Sequence, residues 1–435
     1  MLKGDSMANI YESMTKSELE GVIESLEKEY LDFKSQNLHL DMARGKPSAD
    51  QVNVNKEMLD IINSNISLDI DDQDAANYGV PFGLDCARRL GADLLDVDAS
   101  NVICSGSSSL NLMFDCVARG FIKGYNSNPQ MLDPNRKWIC LVPGYDRHFS
   151  VTKYFRYENI AVEFKDGDVD MDRIEELVEN DSSIYGIWCV PKYSNPTGIT
   201  FSDETVKRLA NLKPAASDFK IYWDNAYCVH DLYDEGDSLL NIFDELHALG
   251  KTDLVIEFAS TSKITIPGSG IAFVVADDND LACIKEQFSV ERVCPDKLNQ
   301  LAHVLYLTDK RGVEDIMDKH AEFLRPRFEL VLEKLNDNLA STGCCTWTHP
   351  RGGYFISFEG MNGSAKAIVN MASEIGVKLT PAGSTWPDME DPNDSNIRIA
   401  PSYPTLTELN CALDVFVLCV KLVSARLAYM NNKCM

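Results

Sequence analysis

Residues 253–270 read DLVIEFASTSKITIPGSG, and the meaning of their one lysine decides the fold. The stretch begins as a short apolar, β-branched run, the pattern of a strand buried on both faces. Three small hydroxyl-bearing residues, Ser260, Thr261 and Ser262, follow it, then Lys263, then a Pro-Gly turn. Lysine is seldom buried without something to pair with. Lys263 therefore either closes a strand at the surface or is held at the strand's carboxyl end for its chemistry.

Six further runs of the same texture flank it: NVICSG (101–106), KWICLVPG (137–144), NIAVEF (159–164), IYGIWCVP (184–191), KIYWDNAY (220–227) and IAFVVAD (271–277). They alternate with amphipathic stretches, which predicts an α/β fold: a three-layer sandwich with a mostly parallel central sheet between helical layers. After residue 300 the texture changes. Two long helical patterns there flank GGYFISF (352–358) and NIRIAPS (396–402), which suits a smaller α+β domain. Near the front, Leu19, Val22, Ile23, Leu26, Tyr30 and Phe33 recur at helical spacing behind Thr15 or Ser17 as cap. A chain of 435 residues exceeds what one core usually spans. The expected division is an N-terminal segment over 1–60 packing with the small domain, a large domain over 61–310 and a small C-terminal domain over 311–435.

Composition narrows the function. A formal net charge of −26 argues against nucleic acid as a partner, because phosphate backbones are gripped by clustered Lys and Arg. No apolar run reaches the roughly 18 residues that cross a bilayer. No charged-then-apolar leader opens the sequence, so no membrane role and a cytoplasmic location are expected. Thirteen scattered cysteines without a CxxC pair and seven dispersed histidines predict reduced thiols and no metal site.

In an open α/β sheet, ligands collect at the carboxyl ends of the strands. The polar groups falling there are SGSSS, PGYDRHF, SNPTG, DNAY and STSK. A buried lysine has a lowered pKa, which frees its amine to attack a carbonyl, whether of a substrate or of pyridoxal phosphate. Asp224, ending IYWD, could keep a pyridine nitrogen protonated, and Tyr227 could reach the ring's phenolic oxygen. Ser105, Gly106, Ser107 and Ser108 precede an amphipathic helical pattern, the place where free N–H groups and hydroxyls bind an anion. Taken singly, each of these has a plainer reading: a surface lysine, a cap, a turn, a loop. Together and in this order they do not.

The set resembles the fold-type I pyridoxal-phosphate enzymes, the class I/II aminotransferases, over nearly the whole chain. SNPTG resembles the family's NPTG signature, which implies that Asn195 contacts the ring oxygen. DNAY is similar to D-x-x-Y, implying the roles above for Asp224 and Tyr227. STSK is similar to S-x-S-K, which implies Lys263 as the Schiff-base lysine, with Ser260 and Ser262 beside the phosphate. PGYDRHF implies Tyr145 stacked on the ring, and NYGVPFG implies Tyr78 reaching the phosphate of a neighbouring subunit, hence a homodimer. NIRIAPS implies Arg398 on the substrate carboxylate, and DMARGKPSAD implies Gly45, with Arg44 beside it, on a segment closing over substrate. The wording is closest to a bacterial aspartate-aminotransferase-like branch related to MocR-type effector domains. The resemblance implies amino-acid and 2-oxo-acid substrates, aspartate and 2-oxoglutarate first, exchanged by a ping-pong Schiff-base mechanism. A lyase or decarboxylase on this scaffold, a non-enzymatic sensor, and an aldolase-like use of the lysine remain open here. One departure stands out. Where the family places a phosphate-binding arginine eight residues after the lysine, this chain has Ile271, or Gly270 allowing one gap. For a distal substrate carboxylate, Arg44, Arg147, Arg292 and Lys297 are the candidate cations.

Overall fold

The computed structural model describes residues 8–432. Its main sheet has eight strands: β1 (Val102–Cys104), β2 (Lys137–Val142), β3 (Glu158–Lys165), β4 (Asp168–Val169), β5 (Ile184–Cys189), β6 (Lys220–Asp224), β7 (Val255–Ser260) and β8 (Ala272–Ala276). The spatial order is β1-β8-β7-β6-β5-β2-β3-β4. Strands β7, β6, β5, β2 and β3 pair parallel throughout. β8 runs antiparallel to both β7 and β1, and β4 folds back on β3. The reversal at β8 has a chain-length reason. Residues 261–271, which carry Lys263, are too few for the crossover helix that a parallel return needs.

The helices that frame the site are α1 (Lys16–Lys34), α2 (Ser109–Ile122), α3 (Asp146–Tyr154), α4 (Asp278–Glu291), α5 (Lys310–Leu339) and α6 (Leu406–Asn431). Of the two candidate caps for α1, Thr15 takes the position, closing a reciprocal capping box with Glu18. α6 starts the same way, with Thr405 and Glu408. No described helix is long and apolar enough to cross a membrane.

Two apolar cores form. The first joins the sheet interior (Ile139, Ile187, Ile221, Val255, Val274) to Leu112, Met113 and Val117 of α2. The second joins Leu19 and Tyr30 of α1 to Phe328 and Val331 of α5 and Phe416 and Val420 of α6. It also takes in Phe358 and Ile397 from a three-stranded antiparallel sheet, Thr346–Trp347, Ile356–Glu359 and Asn396–Ile399. The N-terminal helix thus shares its core with the C-terminal elements. The crevice between the two cores receives the carboxyl ends of β2, β5, β6 and β7, with the strand order switching direction around β2.

Candidate active site

Asp224 is the last residue of β6, in register with Phe258 of β7, and only 3% exposed. Its Oδ2 lies 2.9 Å from Nε2 of His148, which is itself buried on α3. The imidazole is fixed from two sides: stacked on Trp188 with ring centroids 4.4 Å apart, and edge-on to Tyr145 at 5.0 Å. One carboxylate oxygen is therefore anchored. The other, Oδ1, is buried with no hydrogen-bond partner among the described residues. An unpaired buried carboxylate oxygen is costly, so this atom is suited to a ligand's N–H.

Lys263 stands just past β7, with its amine 4.7 Å from the ring centroid of Tyr227. Averaged over the residue it is half-buried, yet the amine is enclosed enough that burial holds its pKa below the ordinary value, against the pull of Asp224. The loop behind it is clamped. Thr261 Oγ1 accepts from the Ile271 N–H at 3.0 Å, and Asn55 Nδ2 donates to the carbonyls of Ile264 and Thr265 at 2.9 and 3.1 Å. Thr265 in turn meets His303 at 2.9 Å. With the loop held by buried bonds, the backbone that carries Lys263 is fixed at the mouth of the crevice. Tyr227 and Tyr145 both have phenols pushed up by burial, Tyr145 to about 12.

Asn195, 4% exposed, sits in the turn of SNPTG. That turn needs its glycine: Gly198 has φ +69, and a Cβ there would come within 2.4 Å of Pro350. The side-chain oxygen of Asn195 accepts from Arg398 Nη1 at 3.3 Å, and Asp146 accepts from the same nitrogen at 3.4 Å. Both bonds are long, and Nε of Arg398 is buried with no hydrogen-bond partner among the described residues, so much of the guanidinium is unspent. Arg398 lies over the ring of Phe355 at 4.7 Å. A Cβ on Gly45 would sit 2.2 Å from that same ring, so the segment bearing Arg44 and Gly45 runs against the arginine's support. Ser105 follows β1 and is buried, whereas Gly106 and Ser107 are open and Ser108 caps α2. Ser262 Oγ donates to the Ser107 carbonyl at 2.9 Å and accepts from Ser260 Oγ at 3.2 Å. The two serine groups therefore form one cradle.

A family model described as aspartate amino-transferase matches residues 14–432. The chain belongs to the aspartate aminotransferase family. It is an enzyme of the transaminase class on a fold-type I scaffold. It is 41% identical over 404 residues to an aspartate aminotransferase of Corynebacterium glutamicum, covering 92% of this chain and 93% of that protein. A crystal structure of an aspartate transaminase from Corynebacterium glutamicum superposes with a TM-score of 0.94 at 39% identity, over 97% of this chain and 100% of that one. At the level of fold alone, LysN of Thermus thermophilus is similar at a TM-score of 0.71 and 19% identity, covering 94% and 99% of the two chains. LysN is an α-aminoadipate aminotransferase, solved with N-(5'-phosphopyridoxyl)-L-leucine.

Not every nominated residue of this aminotransferase gathers at the crevice. Tyr78 is 79% exposed on the surface. Arg44 and Arg147 are exposed, and the Lys297 amine donates to the Asp74 carbonyl at 2.6 Å. Arg292, nominated for a distal carboxylate, does reach the site, but at the serine cradle, where it is directed to Ser105 and Asp115. Two supporting residues had no assigned task in the sequence reading: His148 and Phe355. The signal for His148 was its place in PGYDRHF, one helical turn after Tyr145. Among the described residues no group of three or more His, Cys, Asp or Glu gathers for a metal.

Proposed function

We propose that this aminotransferase moves an amino group between an L-amino acid, aspartate first, and 2-oxoglutarate, with pyridoxal phosphate held in the crevice. The observation that carries the reading is Asp224: one oxygen anchored by His148, the other buried and unpartnered, on the strand next to the one that presents Lys263. That donor set fits a protonated pyridine. Bound there, the cofactor supplies a reactive aldehyde and a ring that withdraws electrons. Asp224 keeps the proton on the ring nitrogen, and His148 keeps Asp224 in place. Tyr145 would cover the ring, and Asn195 and Tyr227 would hold its phenolic oxygen. Ser105, Gly106, Ser107, Ser108, Ser260 and Ser262 cradle the phosphate. Arg398 grips the substrate carboxylate, bidentate geometry being what a guanidinium offers. Lys263 Nζ, whose pKa burial holds below the ordinary value, is the base that takes the proton from the substrate α-carbon.

The same reading makes the active form a homodimer in which Tyr78 serves a neighbour's phosphate. Its support is a surface where Tyr78, Val290, Val293 and Leu298 all stand exposed. The large and small bodies then correspond to residues 61–310 and 311–435, with 1–60 joined to the latter. The test is an amino-donor panel run against 2-oxoglutarate with initial-rate kinetics. Glutamate should form from aspartate, with parallel double-reciprocal lines. Release of ammonia or carbon dioxide, with no amino group reaching any keto acid, would overturn the reading in favour of a lyase or decarboxylase.

A further inference from the structure

We infer that Arg292 is the fixed cation of the phosphate cradle, acting through and beside Ser105. The inference rests on the pyridoxal-phosphate reading above. A phosphate monoester brings a charge of about −1.5 to −2 at neutral pH, and the cradle itself holds only serines, a glycine and the N-terminus of α2. Nothing cationic can enter from the loop after Lys263. Ile271 is buried, and its N–H is spent on Thr261. A side chain at Gly270 would start 2.8 Å from Ser262 Oγ and 2.9 Å from the Ser107 carbonyl, inside the cradle's own wall.

Arg292 closes the gap from another direction. It follows α4, and its Nη1 donates to Ser105 Oγ at 2.5 Å, where Ser105 is 1% exposed. Nη2 pairs with Asp115 of α2 at 2.8 Å and also with Glu291. The guanidinium carbon lies 3.9 Å from the Phe288 ring centroid. The group is thus held from several sides with one nitrogen aimed at the cradle, so little ordering remains for a ligand to impose. The two carboxylates do not cancel it permanently. Burial, then Glu291, lifts Asp115 to about 6, so its carboxylate holds the arginine less firmly than an ordinary one would.

The test titrates the full chain, stripped of cofactor, with pyridoxal phosphate and in parallel with pyridoxal, which lacks the phosphate, by visible absorbance. Arg292→Gln should bind pyridoxal phosphate ~10–100-fold more weakly, the range for one bond to a charged group, with pyridoxal binding unchanged. Asp115→Asn, which breaks the same tie between α2 and α4 but keeps the cation, should bind pyridoxal phosphate as well as or better than wild type. If the arginine only bolts helices together, the two variants will weaken both aldehydes alike, and the inference falls. It falls too if Arg292→Gln leaves the phosphate form untouched. Wild type that takes up neither aldehyde would instead refute the cofactor reading itself.

Discussion

Glu257 allows a sharp test of how the sheet beneath the site is built. It lies in β7, paired in register with Trp223, and is 4% exposed. Its side chain accepts at Oε1 from Asn225 Nδ2 at 2.9 Å, and Asn225 is the residue after Asp224. Burial lifts the carboxyl from its ordinary 4.5 to about 8, with Asn225 pulling weakly the other way. The sign follows directly. Between these two values the folded chain holds a proton that the unfolded chain has released, so stability falls as pH rises through that window and levels off above it. At ~1.4 kcal/mol per pH unit, the cost above pH 8 is at most ~5 kcal/mol, and relaxation of the site will reduce it. Glu257→Gln keeps an oxygen to accept from Asn225 and cannot ionise. Urea unfolding at pH 5, 7 and 9 should show the variant within ~1 kcal/mol of wild type at pH 5 and more stable by ~2–5 kcal/mol at pH 9. Identical pH profiles would refute the argument. They would mean that Lys192, which lines the same recess, compensates the charge.

Two further outcomes follow from the site. Asp224→Ala should keep the cofactor, through Lys263 and the cradle, and lose at least ~100-fold in kcat, the scale for removing one preorganised electrostatic contact; unchanged turnover would mean that the carboxylate does not face the ring. Arg398→Lys should raise KM for amino and keto acids together by ~10–100-fold, because an ammonium cannot reproduce a guanidinium's two-pronged grip; a KM unchanged for every substrate would remove Arg398 from the site.

What could be read from the sequence, and what could not, divides along one physical line. Strands announce themselves locally, and all seven apolar runs became strands of the main sheet. Polar residues at strand ends are equally local, so Lys263, Asp224, Asn195 and Ser105 were all within reach. The relations between those residues are not local. His148 meets Asp224 across 76 positions, and Arg292 meets Ser105 across 187. The motif PGYDRHF marks His148 locally but not its partner, and nothing beside Arg292 points to Ser105, because a buried ion pair or hydrogen bond is chosen by packing after the layers assemble. The antiparallel turn of β8 lies between these cases. The short link after Lys263 already forbade a parallel return, yet its consequence, that Gly270 lies against Ser262 and Ser107, appears only once the strands are paired. An absence in the sequence, such as a missing arginine, therefore says little about charge at a site. It says only that the charge must arrive from a segment whose approach depends on the fold, and here that segment is the end of α4.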